Sequence, residues 1–299
     1  MHEPAVRGRR RGGRWTKVGH GLYVPAGDDG PPLAAWHLAL PSSGAFTGLT
    51  AAGLHGLWLP PLPVGTPTFV AVRDGGTAPR RPGLRVVRQT SAIPTVAVRG
   101  LPTVPVPEAI LGCARDLSLL DVVVLVDAAL HKELCSMDDL ACVAALRRRG
   151  APLLREALRL ADGRSESPYE SLLRLLHAVC EVPVEAQHEV FHDGRFVARG
   201  DLWLVGTRTL HEYDGAHHLT RAQQRRDLRR GRGLDEASWH RRGYVLEDLL
   251  HQGLMILRDA DAALGRPHQP DRIRAWEALL VDSAFSVPGR HRLLRRWRS

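Results

Sequence analysis

Lysine is almost absent: Lys17 and Lys132 stand alone, so the positive charge of this chain rests on arginine. The four cysteines, Cys113, Cys135, Cys142 and Cys180, form no CxxC pair and have no histidine at zinc-ligand spacing. That argues against a structural zinc site and leaves them as small buried hydrophobes of an intracellular protein. Long apolar runs are missing too. The longest, Val122 to Val126, is closed by Asp121 and Asp127, far short of a membrane span. Behind the charges of Arg7 to Arg14 no apolar stretch follows, so no signal peptide is visible and a cytoplasmic location is expected, with no membrane partner. No internal repeat is found.

What is present suits a globular protein. The apolar fraction is 44% and the length is 299 residues, enough for two compact domains. Formal charge is +9. Such a surplus fits a polyanion, since cations that neutralise phosphates release bound counterions, although a chain rich in Arg, Ala, Gly and Leu also follows from biased codon usage.

Residues 1 to 160 are rich in Pro and Gly, with short apolar bursts. Leu22–Val24, Thr68–Val72 and Leu84–Val87 read as strands, and Thr47 to Leu57 as a helix ended by Pro60 and Pro61. Pro107 opens a helix through Leu117, another runs from Leu119 into Leu130, and Ser136 caps a third reaching Arg149, before Gly150 and Pro152 break the pattern. The second half changes character. Ser167 to Val179 carries a helical apolar stripe. Strands are expected at Glu189–Phe191, Phe196–Val205 and Thr209–Tyr213, then a basic helix from Thr220 to Leu234 and an apolar segment from Gly243 to Leu250. Helices near 256–264 and 272–281 and the basic tail HRLLRRWRS complete the chain.

Asp201 falls in the second of those strands, and Glu212 and Asp214 in the third. Side chains alternate along a strand, so Glu212 and Asp214 share a face. Asp201 precedes Glu212 by 11 residues, the separation at which one hairpin sets two positions side by side. Three carboxylates on one sheet face are costly without a cation, and Mg²⁺ (or Mn²⁺) prefers such oxygen ligands and can activate water beside a phosphate. Alternatives remain. Asp201 and Glu212 also suit an exposed sheet face, and Asp214-Gly215 is a common turn pair.

The stretches SPYESLLRLL (167–176), RGDLWL (199–204), HEYDGAHH (211–218) and RRDLRRGRGL (225–234) resemble the Vsr-like endonuclease domains of the PD-(D/E)XK nuclease superfamily. The resemblance spans the region from about Ser165 to about Leu250. It implies a restriction-endonuclease-like α/β domain with a central meander, an acid on the first helix (Glu170), a metal-binding Asp201, the pair Glu212 and Asp214, and His218. Asp227 and Arg230 then sit on the basic helix. The superfamily usually carries Lys two residues after the second acid. Asp214 stands there instead, as in Vsr-like domains, so either His218 takes over proton transfer or the fold binds metal without cleaving. Glu170 also fits a capping box with Ser167 as N-cap and Pro168 at the first helical position, and Glu166 is an alternative acid. Arg221, Arg225, Arg226, Arg229, Arg230 and Arg232 suit phosphate contact, or a solvated helix face paired with Asp227.

In the first half, RWTKVGHGLYVPAG, TGLTAAGLHGLWLPP and the segment around LVDAAL (125–130) resemble AbiEi-type antitoxins, which carry an N-terminal winged helix-turn-helix. Only about 14 residues precede Trp15, leaving no room for the helices before the wing. The expected architecture is therefore α+β: an antitoxin-like domain with a truncated winged-helix-like start (1–160), a Vsr-like nuclease domain (161–255) and a helical basic tail (256–299). The expected function is Mg²⁺-dependent endonuclease action on nucleic acid, DNA by preference. The alternative is an antitoxin-like DNA-binding regulator that uses the nuclease fold as a platform.

Overall fold

The computed structural model describes residues 6–8, 14–27, 33–75, 81–215 and 221–298, the side chains of 6, 7 and 221–227 excepted. The protein is α+β, with three separate sheets among the described residues.

The strands β1 (Val6–Arg7), β2 (Trp15–Gly19) and β3 (Leu22–Pro25) form a small antiparallel sheet in the order β1-β3-β2. Among the described residues no helix precedes β2. After α1 (Leu33–His37) come β4 (Ala45–Phe46), α2 (Gly48–Leu54), β5 (Thr68–Arg73), β6 (Leu84–Gln89), β7 (Val96–Val98) and β8 (Leu101–Thr103). Their mixed sheet has the order β6-β5-β4-β8-β7. In β5 the run Phe69 to Val72 is wholly buried, as expected of a strand covered on both faces.

The helices α3 (Val106–Cys113), α4 (Leu119–His131), α5 (Met137–Ala145), α6 (Ala151–Leu160) and α7 (Pro168–Val179) follow. The centre of this layer is α4, whose residues Leu120 to Ala129 are all buried, the mark of a helix surrounded on every side. Asp121 and Asp127 are therefore interior rather than at the edges of a run. Asp121 caps α4 with Ser118 and accepts the Ser283 hydroxyl at 2.6 Å and the Ala284 N–H at 3.1 Å. Asp127 accepts the Arg174 guanidinium at 2.8 Å and the Asp162 N–H at 2.7 Å, which pins α7 to α4. Each carboxylate oxygen has a partner, and that is what makes such burial tolerable. The helix expected to reach Arg149 stops at Ala145. Gly150, at φ +94°, and Pro152 then open α6, because Pro suits a first helical turn whose N–H groups lack partners anyway.

The last sheet comprises β9 (Val184–His192), β10 (Arg195–Leu204), β11 (Thr209–Tyr213) and β12 (His240–Tyr244), with α8 (Arg221–Glu236) between the last two. Its order is β12-β11-β10-β9, so the expected meander is present and begins five residues earlier than Glu189. The strand β12 pairs parallel to β11, and α8 is the crossover such a pairing needs. Its sequence HRRGY hides it, having no apolar alternation. The helices α9 (Leu246–His251), α10 (Gly253–Ala263), α11 (Ile273–Asp282) and α12 (Val287–Arg298) complete the chain. One apolar cluster runs from Leu49 to Leu293, so elements on both sides of positions 160 and 255 share a core. The basic C-terminal segment docks as α12. Its Trp297 meets Phe69 edge-on at 5.6 Å, and Arg296 pairs with Asp116 at 3.2 Å.

Candidate functional site

The site is built on a row of residues across adjacent strands. In the β10–β11 pair Leu202 stands opposite His211, and one further step sets Asp201 beside Glu212. In the β9–β10 pair Ala186 faces Leu202 and His188 faces Gly200, which brackets Gln187 across from Asp201. Gln187 has φ +55°, a left-handed backbone that costs a glutamine free energy and is typical of constrained sites. Its amide donates to Glu170 Oε2 at 2.9 Å.

Glu170 reaches this row from the first turn of α7. Ser167 accepts the Glu170 N–H at 3.2 Å, as an N-cap should. The Glu170 carboxylate does not complete a capping box by accepting the Ser167 N–H. It accepts the Glu166 N–H at 2.8 Å, which leaves it turned toward the sheet. Tyr169 stacks on Tyr213 at 4.8 Å between centroids and holds the start of α7 over β11.

Asp201 Oδ2 accepts the backbone N–H of Tyr213 at 2.8 Å. Burial, then the neighbouring carboxylates of Glu170 and Glu212, push its pKa up to about 7, well above the ordinary aspartate range. Glu170 is raised as well, by burial first. Glu212 is only 3% exposed, yet both oxygens are engaged: Arg230 of α8 holds Oε1 and Arg241 of β12 holds Oε2. Arg241 also holds Asp214, whose carboxylate lies where a side chain on Gly243 would be. Arg230 is anchored in turn by the Arg199 carbonyl at 2.7 Å.

Of the residues singled out from the sequence, Glu170, Asp201 and Glu212 are thus drawn together, and Asp214 joins them through Arg241. Glu166 instead forms an exposed pair with Arg199 at 2.5 Å. Arg230 lies in the site, while Arg229 and Arg232 are exposed on α8. Arg221, Arg225, Arg226 and Asp227 belong to α8 with side chains outside the described residues, and His218 lies outside them altogether. Sequence reasoning missed Gln187 and Arg241. Gln187 is an ordinary polar residue until the register sets it beside Asp201. Arg241 comes 29 residues after Glu212 and meets it only through the parallel pairing of β12. Among the described residues, no three acidic, histidine or cysteine side chains stand arranged to hold a metal ion.

Behind the acids, facing α7, runs a second polar chain. His211 neighbours Glu212 and so points to the opposite face of β11. His177 Nδ1 lies 2.7 Å from the Leu173 carbonyl, which can only accept, so the neutral ring carries its proton there. His177 Nε2 is then an acceptor, and His211 Nδ1, at 2.9 Å, must be the donor. Tyr244 lies 3.4 Å from His211 Nε2 and donates to Asp259 at 3.1 Å. Burial lowers the pKa of His177 to about 4 and, with His177 and Arg242 adding to it, that of His211 to about 2.

The chain is similar to two uncharacterized proteins of Mycobacterium tuberculosis, from strains CDC 1551 and H37Rv. Each is 31% identical over 140 residues, 46% of this chain. The chain spans about half the length of these curated relatives, 52% of each. No protein-family model and no solved structure matches it. Among the described residues no helix is long and apolar enough to cross a membrane.

Proposed function

We propose that this protein hydrolyses phosphodiester bonds of nucleic acid, DNA by preference, in a metal-assisted reaction at Glu170, Asp201 and Glu212. One observation carries the proposal: Asp201 sits between two further carboxylates, half-buried, with its pKa raised to about 7. Such clustering is unfavourable in a fold that does nothing with it, and strongly perturbed acids gather at functional sites. The oxygen donors suit Mg²⁺ or Mn²⁺ in hardness and charge. Asp201 and Glu212 would hold the ion, with Asp214 in support. When bound, the ion supplies an activated water and stabilises charge on the scissile phosphate.

The remaining roles fall to groups of the chain itself. Glu170, fixed by Gln187 and the Glu166 N–H, keeps its carboxylate beside Asp201. Arg230 and Arg241 occupy both Glu212 oxygens, so loading the site requires one guanidinium to let go, and that arginine can then meet a phosphate. His218, outside the described residues, is the proton-transfer candidate, since imidazole titrates near neutral pH.

The same two arginines favour a second role. With Glu212 already neutralised, the fold could serve as a DNA-binding platform of an antitoxin-like regulator. Incubating the protein with supercoiled plasmid and Mg²⁺ or Mn²⁺, beside Asp201→Ala, separates the two. Cleavage lost in the variant upholds the nuclease. Binding without cleavage of duplex, mismatched, single-stranded or RNA substrates upholds the platform.

A further inference from the structure

On a different sheet from the acidic row, a cavity of about 520 Å³ opens between β6, α3 and the connection from α5 to α6. We propose that it binds the phosphate of a nucleotide, either free or at the 5′ end of a strand. Arg85, Arg88, Arg115, Arg148 and Arg149 all line it, and Arg88 is already paired with Asp74 at 3.6 Å. Two acids share the lining, and both are committed. Glu108 holds Arg148 through both oxygens, at 2.7 and 2.9 Å, and Asp116 pairs with Arg296 at 3.2 Å.

Three guanidiniums are left over. Arg85 donates to the Trp297 carbonyl at 3.3 Å, a contact that carries no countercharge. Arg115 and Arg149 have no carboxylate within ion-pair distance among the described residues. Burial, then the nearness of Arg149, Arg85 and Arg148, holds Arg115 below the ordinary arginine range against the pull of Asp116. Converging like charges in a recess are unfavourable by themselves and focus potential on whatever anion enters. Guanidiniums are the side chains best matched to phosphate, through paired N–H donors.

Size and wall chemistry narrow the ligand. The cavity lies within the range of small-molecule sites, roughly 300–1,000 Å³, and inorganic phosphate would fill little of it. Leu84, Val86 and Val87 supply apolar wall, while Thr90 and Ser91 supply hydroxyls. A phosphate carrying a nucleoside matches that division, the charge on the arginines and the base against the apolar side.

The test is calorimetric titration of the full chain with pyrophosphate, ADP, and a short oligonucleotide bearing either a 5′-phosphate or a 5′-hydroxyl. In Arg115→Gln/Arg149→Gln, ADP and pyrophosphate affinity should fall by about tenfold or more per lost charge-assisted pair. Arg230→Gln, at the acidic row, should leave ADP binding unchanged. If the double variant misfolds by circular dichroism, Arg149→Gln alone serves, its side chain being exposed and without an ion-pair partner among the described residues. Competition between ADP and only the 5′-phosphorylated strand assigns the site to strand ends. ADP binding with no such competition assigns it to free nucleotide. Equal ADP affinity in wild type and variant, or no binding of ADP or pyrophosphate to wild type, overturns the proposal.

Discussion

Asp201 accepts the N–H of Tyr213 at 2.8 Å, which locks an acid of β10 to the backbone of β11 one residue beyond Glu212. The bond favours the ionised form, yet burial and two carboxylate neighbours outweigh it and the pKa stands near 7. The protein therefore holds a carboxyl in a place where ionisation is disfavoured at neutral pH.

Asp201→Asn keeps an oxygen that can accept from Tyr213 and removes the repulsion. A carboxyl with a raised folded-state pKa binds more protons folded than unfolded. It therefore costs nothing below the unfolded value, about 3.9, and destabilises progressively up to about 7. The variant should melt several degrees above wild type at pH 8, with the gap closing as pH falls toward 4. Thermal melts across that range check it, and a variant less stable than wild type at pH 8 would refute the assignment.

The buried histidine pair works in the opposite sense. Folded His177 and His211, with pKa values near 4 and 2, stay neutral where unfolded histidine, near 6.5, takes up a proton. Stability should be complete above pH 6.5 and fall as pH drops toward 4, by up to about 1.4 kcal/mol per pH unit for each histidine. Substituting His177→Leu should flatten this acid limb, whatever it costs in stability at pH 7. An acid limb of unchanged slope in urea titrations would count against the neutral pair.

The basic helix is tested by salt. Replacing Arg225, Arg226 and Arg229 with Gln should weaken all DNA sequences about equally. The slope of log affinity against log salt should drop by about one unit for each lost phosphate contact. A wild-type slope in fluorescence anisotropy would show that this face of α8 meets only solvent.

Gly243→Ala probes the acids through the backbone. The new Cβ would collide with the Asp214 carboxylate, which must swing away and release Arg241. Gly243 lies on the exposed surface, so the melting temperature should change little. The proposed nuclease activity should fall by about tenfold or more, the order of one misplaced polar group in a site. Unchanged turnover would remove Asp214 from the site.

Much of this was legible in the chain order, for local reasons. Ser167, Pro168 and Glu170 announce the start of α7 because capping involves residues three apart. Alternation in β10 and β11, and the tight connection between them, brings Asp201 beside Glu212 because a hairpin register follows from its turn. What only tertiary structure decided involves pairs distant in sequence. Arg241 closes on Glu212 because β12 returns parallel to β11 after a whole helix, and a strand reading HRRGY carries no period to reveal it. The aspartates of α4 looked like the ends of an apolar run. They are buried because Arg174, Ser283 and the Asp162 and Ala284 amides, far off in the chain, reach them and compensate the loss of water. The arginines of the second cavity belong to β6, α3 and the loop before α6, and no spacing along the chain relates them. Local steric and hydrogen-bond rules wrote the elements, and the satisfaction of buried charge determined which of them meet.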